Sequence, residues 1–118
     1  MVNPTIYADK LALEIIGADK IWALKSRLEV SLSHITEVRS DHALVNKWFH
    51  GLKAPGTSIP HVITAGTFYS DGKRVFWDIH HPEQAVVILL KDETYNELVI
   101  EVENPEIFIH QLRQAIGK

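Results

Sequence analysis

The sequence contains no cysteine in 118 residues. That excludes a disulfide framework, a thiolate nucleophile and every cysteine-based metal site. It also lacks a long apolar run. The longest, Ala85 to Leu90, falls far short of the roughly 18 residues a membrane-spanning helix needs. Met1 to Lys10 has no apolar core of the kind a secretory signal carries. A cytoplasmic location is therefore the expectation. Basic residues are not in excess: 12 Lys and Arg against 15 Asp and Glu give a net charge of -3. A dedicated nucleic-acid binder would be strongly basic, so no nucleic-acid partner is expected. Low-complexity tracts, internal repeats and linker-like Ser/Pro runs are missing too.

What is present fits one folded domain over residues 1–118. Hydrophobic residues make up 46% and charged residues 23%, an ordinary balance for a globular chain. A chain of this length buries about 65% of its unfolded surface, enough for a core without staples. Histidine is the unusual component. Protonating all seven would carry the net charge from -3 to +4.

Hydrophobic periodicity places seven strands. Lys10 to Ile16 alternates, with Leu11, Leu13 and Ile15 on one face. Gly17 ends it, and Asp19 can cap a short turn carrying Ile21, Trp22 and Leu24. Leu28, Val30 and Leu32 mark a second strand. Ile35 to Arg39 forms a third with looser spacing. Asp41 is a plausible cap for an inserted helix ending near Gly51, because Leu44, Val45, Trp48, Phe49 and Leu52 fall on a helical stripe. Gly51 to Pro60 has two Gly and two Pro and suits a long loop. Val62 to Tyr69 and Arg74 to Ile79 flank Asp71-Gly72, the strongest short hairpin signal. Ala85 to Leu90 is apolar on both faces, hence central. Glu97 to Val102 alternates with Leu98, Ile100 and Val102 inward. Asn104-Pro105 then starts a helix striped by Phe108, Ile109, Leu112, Ala115 and Ile116, ending at Gly117. Short turns between the last four strands predict an antiparallel meander. The expected class is α+β.

Several stretches carry a resemblance. They are Ala54-Pro55-Gly56-Thr57, Ala65-Gly66-Thr67-Phe68-Tyr69, Val75-Phe76-Trp77-Asp78, and Glu97-Leu98-Val99-Ile100-Glu101-Val102 leading to Asn104-Pro105. Together with the element order they resemble a bacterial pleckstrin-homology (PH)-like family of small proteins. The resemblance implies a barrel of two antiparallel sheets, about seven strands, with an inserted helix and a C-terminal capping helix. It also implies a non-catalytic binding module engaged in protein–protein interaction or self-association, through a sheet edge or the helix bearing Trp48 and Phe49. Some PH domains hold a basic phosphoinositide motif between their first two strands, and Lys20, Lys25 and Arg27 are similar to it. The alternative partner is thus an anionic lipid or phosphorylated headgroup bound by Lys20, Lys25 and Arg27.

Other chemistry finds less support in the spacing. His80 and His81 are adjacent, so on an extended backbone they point to opposite faces. His42 and His50 lie about 12 Å apart along a helix. Neither pair makes a metal site, and no metal or cofactor is expected. No nucleophile elbow and no phosphate-binding loop is present. Asp78 beside His80, with His61, offers the one acid–base grouping, and a small enzyme built on these three is the less favoured class. Most histidines fall in turns, where they would titrate freely near the ordinary value of about 6.5. Charge is uneven: from Asp78 to Glu106 there are eight acids and one base.

Overall fold

The computed structural model describes residues 2–16, 27–40, 65–70 (as backbone), 72–79 and 81–117. The inserted helix predicted from Asp41, the turn around Trp22 and the Gly51–Pro60 loop lie outside these residues. Within them the class is α+β: two sheets and a C-terminal helix.

The first sheet has three antiparallel strands in the order β1 (Val2–Tyr7), β2 (Lys10–Ile15) and β3 (Arg27–Ser31). β1 is an addition to the seven predicted strands. Pro4 disguises it, because proline removes a ladder donor and is tolerated only on an edge. The predicted alternation in β2 holds: Leu11, Leu13 and Ile15 are buried. Ala8, in the two-residue turn between β1 and β2, adopts a φ of 50°.

The second sheet has five strands in the order β4 (Ile35–Arg39), β7 (Ala85–Leu90), β8 (Glu97–Glu101), β6 (Lys73–Asp78) and β5 (Ala65–Ser70). The predicted meander is therefore wrong, and so is the expectation of purely antiparallel sheets. β8 lies between β7 and β6 and runs parallel to β6. The reason is the connection after β6. Residues 79–84 contain a 3-10 turn at Pro82–Gln84 and are too long for a tight hairpin. They carry β7 one slot further, and β8 folds back into the gap. Where a true hairpin signal exists, the expectation holds: β5 and β6 pair across Asp71-Gly72, and Gly72 has the positive φ of 76° that such a turn requires.

The loose spacing in β4 also has a structural cause. Its register against β7 shifts between Ile35 and Glu37, an irregularity that lets both Ile35 and Val38 face inward. The Thr36 hydroxyl there donates to the Leu89 carbonyl at 3.1 Å.

One core cluster joins Leu11, Leu13 and Ile15 of the first sheet to Phe76, Ile88, Leu98 and Ile100 of the second. Phe76 and Tyr95 meet edge to face at 5.6 Å. A second cluster covers the opposite face of the five-stranded sheet, with Val75, Trp77, Ile79, Ala85, Val87 and Val99. β7 contributes to both clusters, as its unbroken apolar run requires. Helix α1 (Pro105–Ala115) packs against β4, β1 and β7, burying Phe108, Ile109 and Leu112 in the first cluster.

Candidate functional site

Helix α1 begins where the sequence places it, with Pro105 at the first turn, where its missing donor costs nothing. The Asn104 side chain makes no capping bond, but its carbonyl accepts from the Phe108 N–H at 3.0 Å. Successive helical side chains are about 100° apart. Ile107 therefore falls off the buried stripe of Phe108, Ile109 and Leu112, and it is 58% exposed. It stands between two clefts. One, of about 540 Å³, opens between β1 and α1 and has Pro4, Ile6, Val102 and Phe108 in its walls. The carboxamides of Asn3, Asn104 and Gln111 line the same cleft. The other, of about 290 Å³, has Ser40, Glu83, Pro105, Glu106 and Ile109 in its walls. Ile107 is shared by both, so the start of the helix presents a partly apolar ridge between two hollows.

The basic motif predicted between the first strands is only partly described. Lys20 and Lys25 lie outside the described residues, as do Trp48 and Phe49 of the predicted interface. Arg27 is on β3, and its charge is already matched. Its Nε donates to Glu29 at 2.9 Å, and Nη2 lies 2.8 Å from the same carboxylate oxygen. The Tyr7 hydroxyl donates to Glu29 at 2.8 Å and accepts from Arg27 at 3.3 Å. Tyr7 and then Arg27 hold the Glu29 carboxyl below its usual range, while Tyr7 and Glu29 push Arg27 up. An arginine committed this way offers less to an incoming phosphate.

Of the suggested acid–base trio, His61 and His80 lie outside the described residues. Asp78 ends β6, is fully buried and pairs in register with Ile100. Side chains alternate along a strand, so Asp78 shares the Phe76 face, while Glu101 points to the Trp77 and Val99 face.

The described histidines of the turns each meet a glutamate. His34 Nδ1 lies 2.6 Å from Glu93, which also accepts from the Ser31 N–H at 3.4 Å. His81 Nδ1 lies 2.8 Å from Oε2 of Glu101, and its backbone N–H donates to Oε1 at 3.3 Å. Glu101 is 1% exposed, whereas the His81 side chain is 61% exposed. The hydrogen bond to Glu101, then its charge, raises the His81 pKa above the usual 6.5, with a smaller contribution from Glu83. The expectation of ordinary titration is thus corrected for His81: sequence separation of 20 residues hid its partner. Among the described residues, no three His, Asp or Glu side chains group as a metal ion would require. No described helix is long and apolar enough to cross a membrane.

Sequence reasoning missed Ile107. The available signal was an aliphatic residue outside the buried stripe of an amphipathic helix. The chain matches no protein-family model, and comparison with curated proteins and with solved structures gives no match.

Proposed function

We propose that this chain is a non-catalytic protein-interaction module of the PH-like type, working through the surface around Ile107. The layout of two sheets and a C-terminal helix supports the PH-like reading, with the parallel β6–β8 pair as a departure from a simple meander. The observation that carries the interaction reading is Ile107 itself. A large aliphatic side chain, 58% exposed, sits on a ridge between two concave surfaces. Burying such a side chain in a partner releases about 1.5–3 kcal/mol, and neighbouring hollows let the partner exclude water around it. The anionic-lipid alternative lacks comparable support, because Arg27 is bound to Glu29 and Tyr7.

A photo-crosslinking amino acid placed at position 107 in the full chain, inside living cells, tests this. The control is the same group at Glu14, exposed on β2. Discrete protein adducts at 107 but not at 14 are expected, and an adduct of twice the chain mass would identify a second copy. No adduct at 107, or the same pattern at both positions, would overturn the reading.

A further inference from the structure

The excess of acid between Asp78 and Glu106 resolves into three groups once the fold is known. Asp78, Glu97 and Glu101 are buried. Asp92 and Glu93 follow Lys91 in the turn between β7 and β8, and Glu93 is bonded to His34. The remaining three, Glu83, Glu103 and Glu106, are exposed, and all line the two clefts beside Ile107. Among the described residues, no Lys, Arg or His lines either cleft, although Glu106 also borders a neighbouring hollow with Arg39, His110 and Arg113. Among the described residues, none of these three carboxylates takes part in an ion pair or a side-chain hydrogen bond.

The helix gives a reason for only one of them. Glu106 sits in the first turn of α1, where the positive end of the helix dipole favours an acid. Glu103 precedes the cap residue, and Glu83 comes from the separate 3-10 turn before β7. Two acids flanking the helix start and one from the separate 3-10 turn line one partly apolar surface.

Resting on the interaction reading above, we propose that this surface docks a basic segment of a partner protein. An apolar side chain of that segment seats in the β1–α1 cleft against Ile107, Ile6 and Phe108. Its Lys or Arg side chains meet Glu83, Glu103 and Glu106. The carboxamides of Asn3, Asn104 and Gln111 supply both donors and acceptors, which suits the main chain of the incoming segment. An acidic rim accelerates encounter with a basic partner and rejects acidic ones.

Three fluorescent peptides test it by anisotropy with the full chain: alternating Leu–Arg, alternating Leu–Glu and alternating Ser–Arg. The Leu–Arg peptide is expected to bind on the order of tenfold more tightly than either other peptide, and more weakly as salt rises. The combined E83Q, E103Q and E106Q variant should lose about tenfold in Leu–Arg affinity, with a Tm lowered by no more than about 5 °C from the lost helix-dipole interaction of Glu106. I107S should also weaken it. Equal binding of Leu–Glu, equal binding of Ser–Arg, or unchanged affinity in the triple variant would overturn the proposal. Crosslinks at position 107 that persist while the triple variant binds normally would remove the basic partner and leave the interaction module standing. Absence of adducts at position 107 in the otherwise native chain would remove both.

Discussion

Leu112→Ala and Ile107→Ala separate the helix residue that builds the fold from the one proposed to meet a partner. Leu112 is 0% exposed and belongs to the cluster shared by both sheets and α1. Truncation removes three carbons, worth about 0.8 kcal/mol each by transfer alone. The cavity left among sheet side chains adds to this, giving about 3–4 kcal/mol. The whole domain has a stability on the order of 10 kcal/mol, so the loss is large. It corresponds to a fall in Tm of roughly 12–16 °C. Ile107, five residues earlier on the same helix, is 58% exposed. Alanine there removes little packing and is the better helix former, so the expected change is within about 0.5 kcal/mol. Urea unfolding followed by far-ultraviolet circular dichroism measures both, and the m-value should be the same for each variant. Equal losses in the two variants would refute the division. So would an Ile107→Ala cost above about 1 kcal/mol, since Ile107 would then be a structural contact.

Three further outcomes are expected. The His81–Glu101 pair contributes stability that is fully present below about pH 6.5 and fades as pH rises through the raised folded value, because His81 gains its partner on folding. Urea midpoints between pH 5.5 and 9 should therefore decline with rising pH in the native chain and decline less in His81→Ala. The Glu29 carboxyl is held low, so its contribution is present above the ordinary value near 4.5 and lost as pH falls through the depressed one. Glu29→Gln should flatten the acid limb of the stability curve, which a pH titration of the unfolding midpoint reads directly. Gly72→Ala should cost about 1–2 kcal/mol in urea unfolding because its φ is 76°, although open space surrounds the added carbon.

The legible parts of the fold were those set by local chemistry. Asp71-Gly72 marks its hairpin because positive φ is needed at Gly72 whatever surrounds it. Asn104-Pro105 starts its helix and Gly117, with φ of 78°, ends it. The strand alternation of Leu11, Leu13 and Ile15 reports one buried face. What stayed hidden was non-local. Nothing in residues 79–84 states that β7 skips a slot, and Pro4 made a real edge strand look like a loop. The same holds at the candidate site. The acidic excess was visible, but buried and exposed acids are indistinguishable in a one-dimensional count. Only the fold separates Glu97 and Glu101 from Glu103 and Glu106.

β8 joins these points. Its sequence, Glu97-Leu98-Val99-Ile100-Glu101, has an acid at each end, yet all five residues are buried in the middle of the sheet. Each acid lies where the neighbouring chain supplies a cationic or titratable nitrogen. Lys73, at the start of β6, places Nζ 3.3 Å from Glu97, and His81, past the end of β6, meets Glu101. Partly buried pairs of this kind are weak sources of net stability. Their stronger effect is on register. A slip of one residue would turn both acids into the face occupied by Phe76 and Ile88, away from Lys73 and His81. The same slip would draw the following segment along by about 3.3 Å. That segment is Val102 to Asn104, whose Val102 N–H is fixed to the Gln84 carbonyl at 3.2 Å and which leads directly into α1. Glu103, the cap residue Asn104 and the Ile107 ridge take their positions from it. The buried acids of β8 therefore hold the exposed acids and the β1–α1 cleft in place, and the proposed interaction surface depends on a register set two strands inside the sheet.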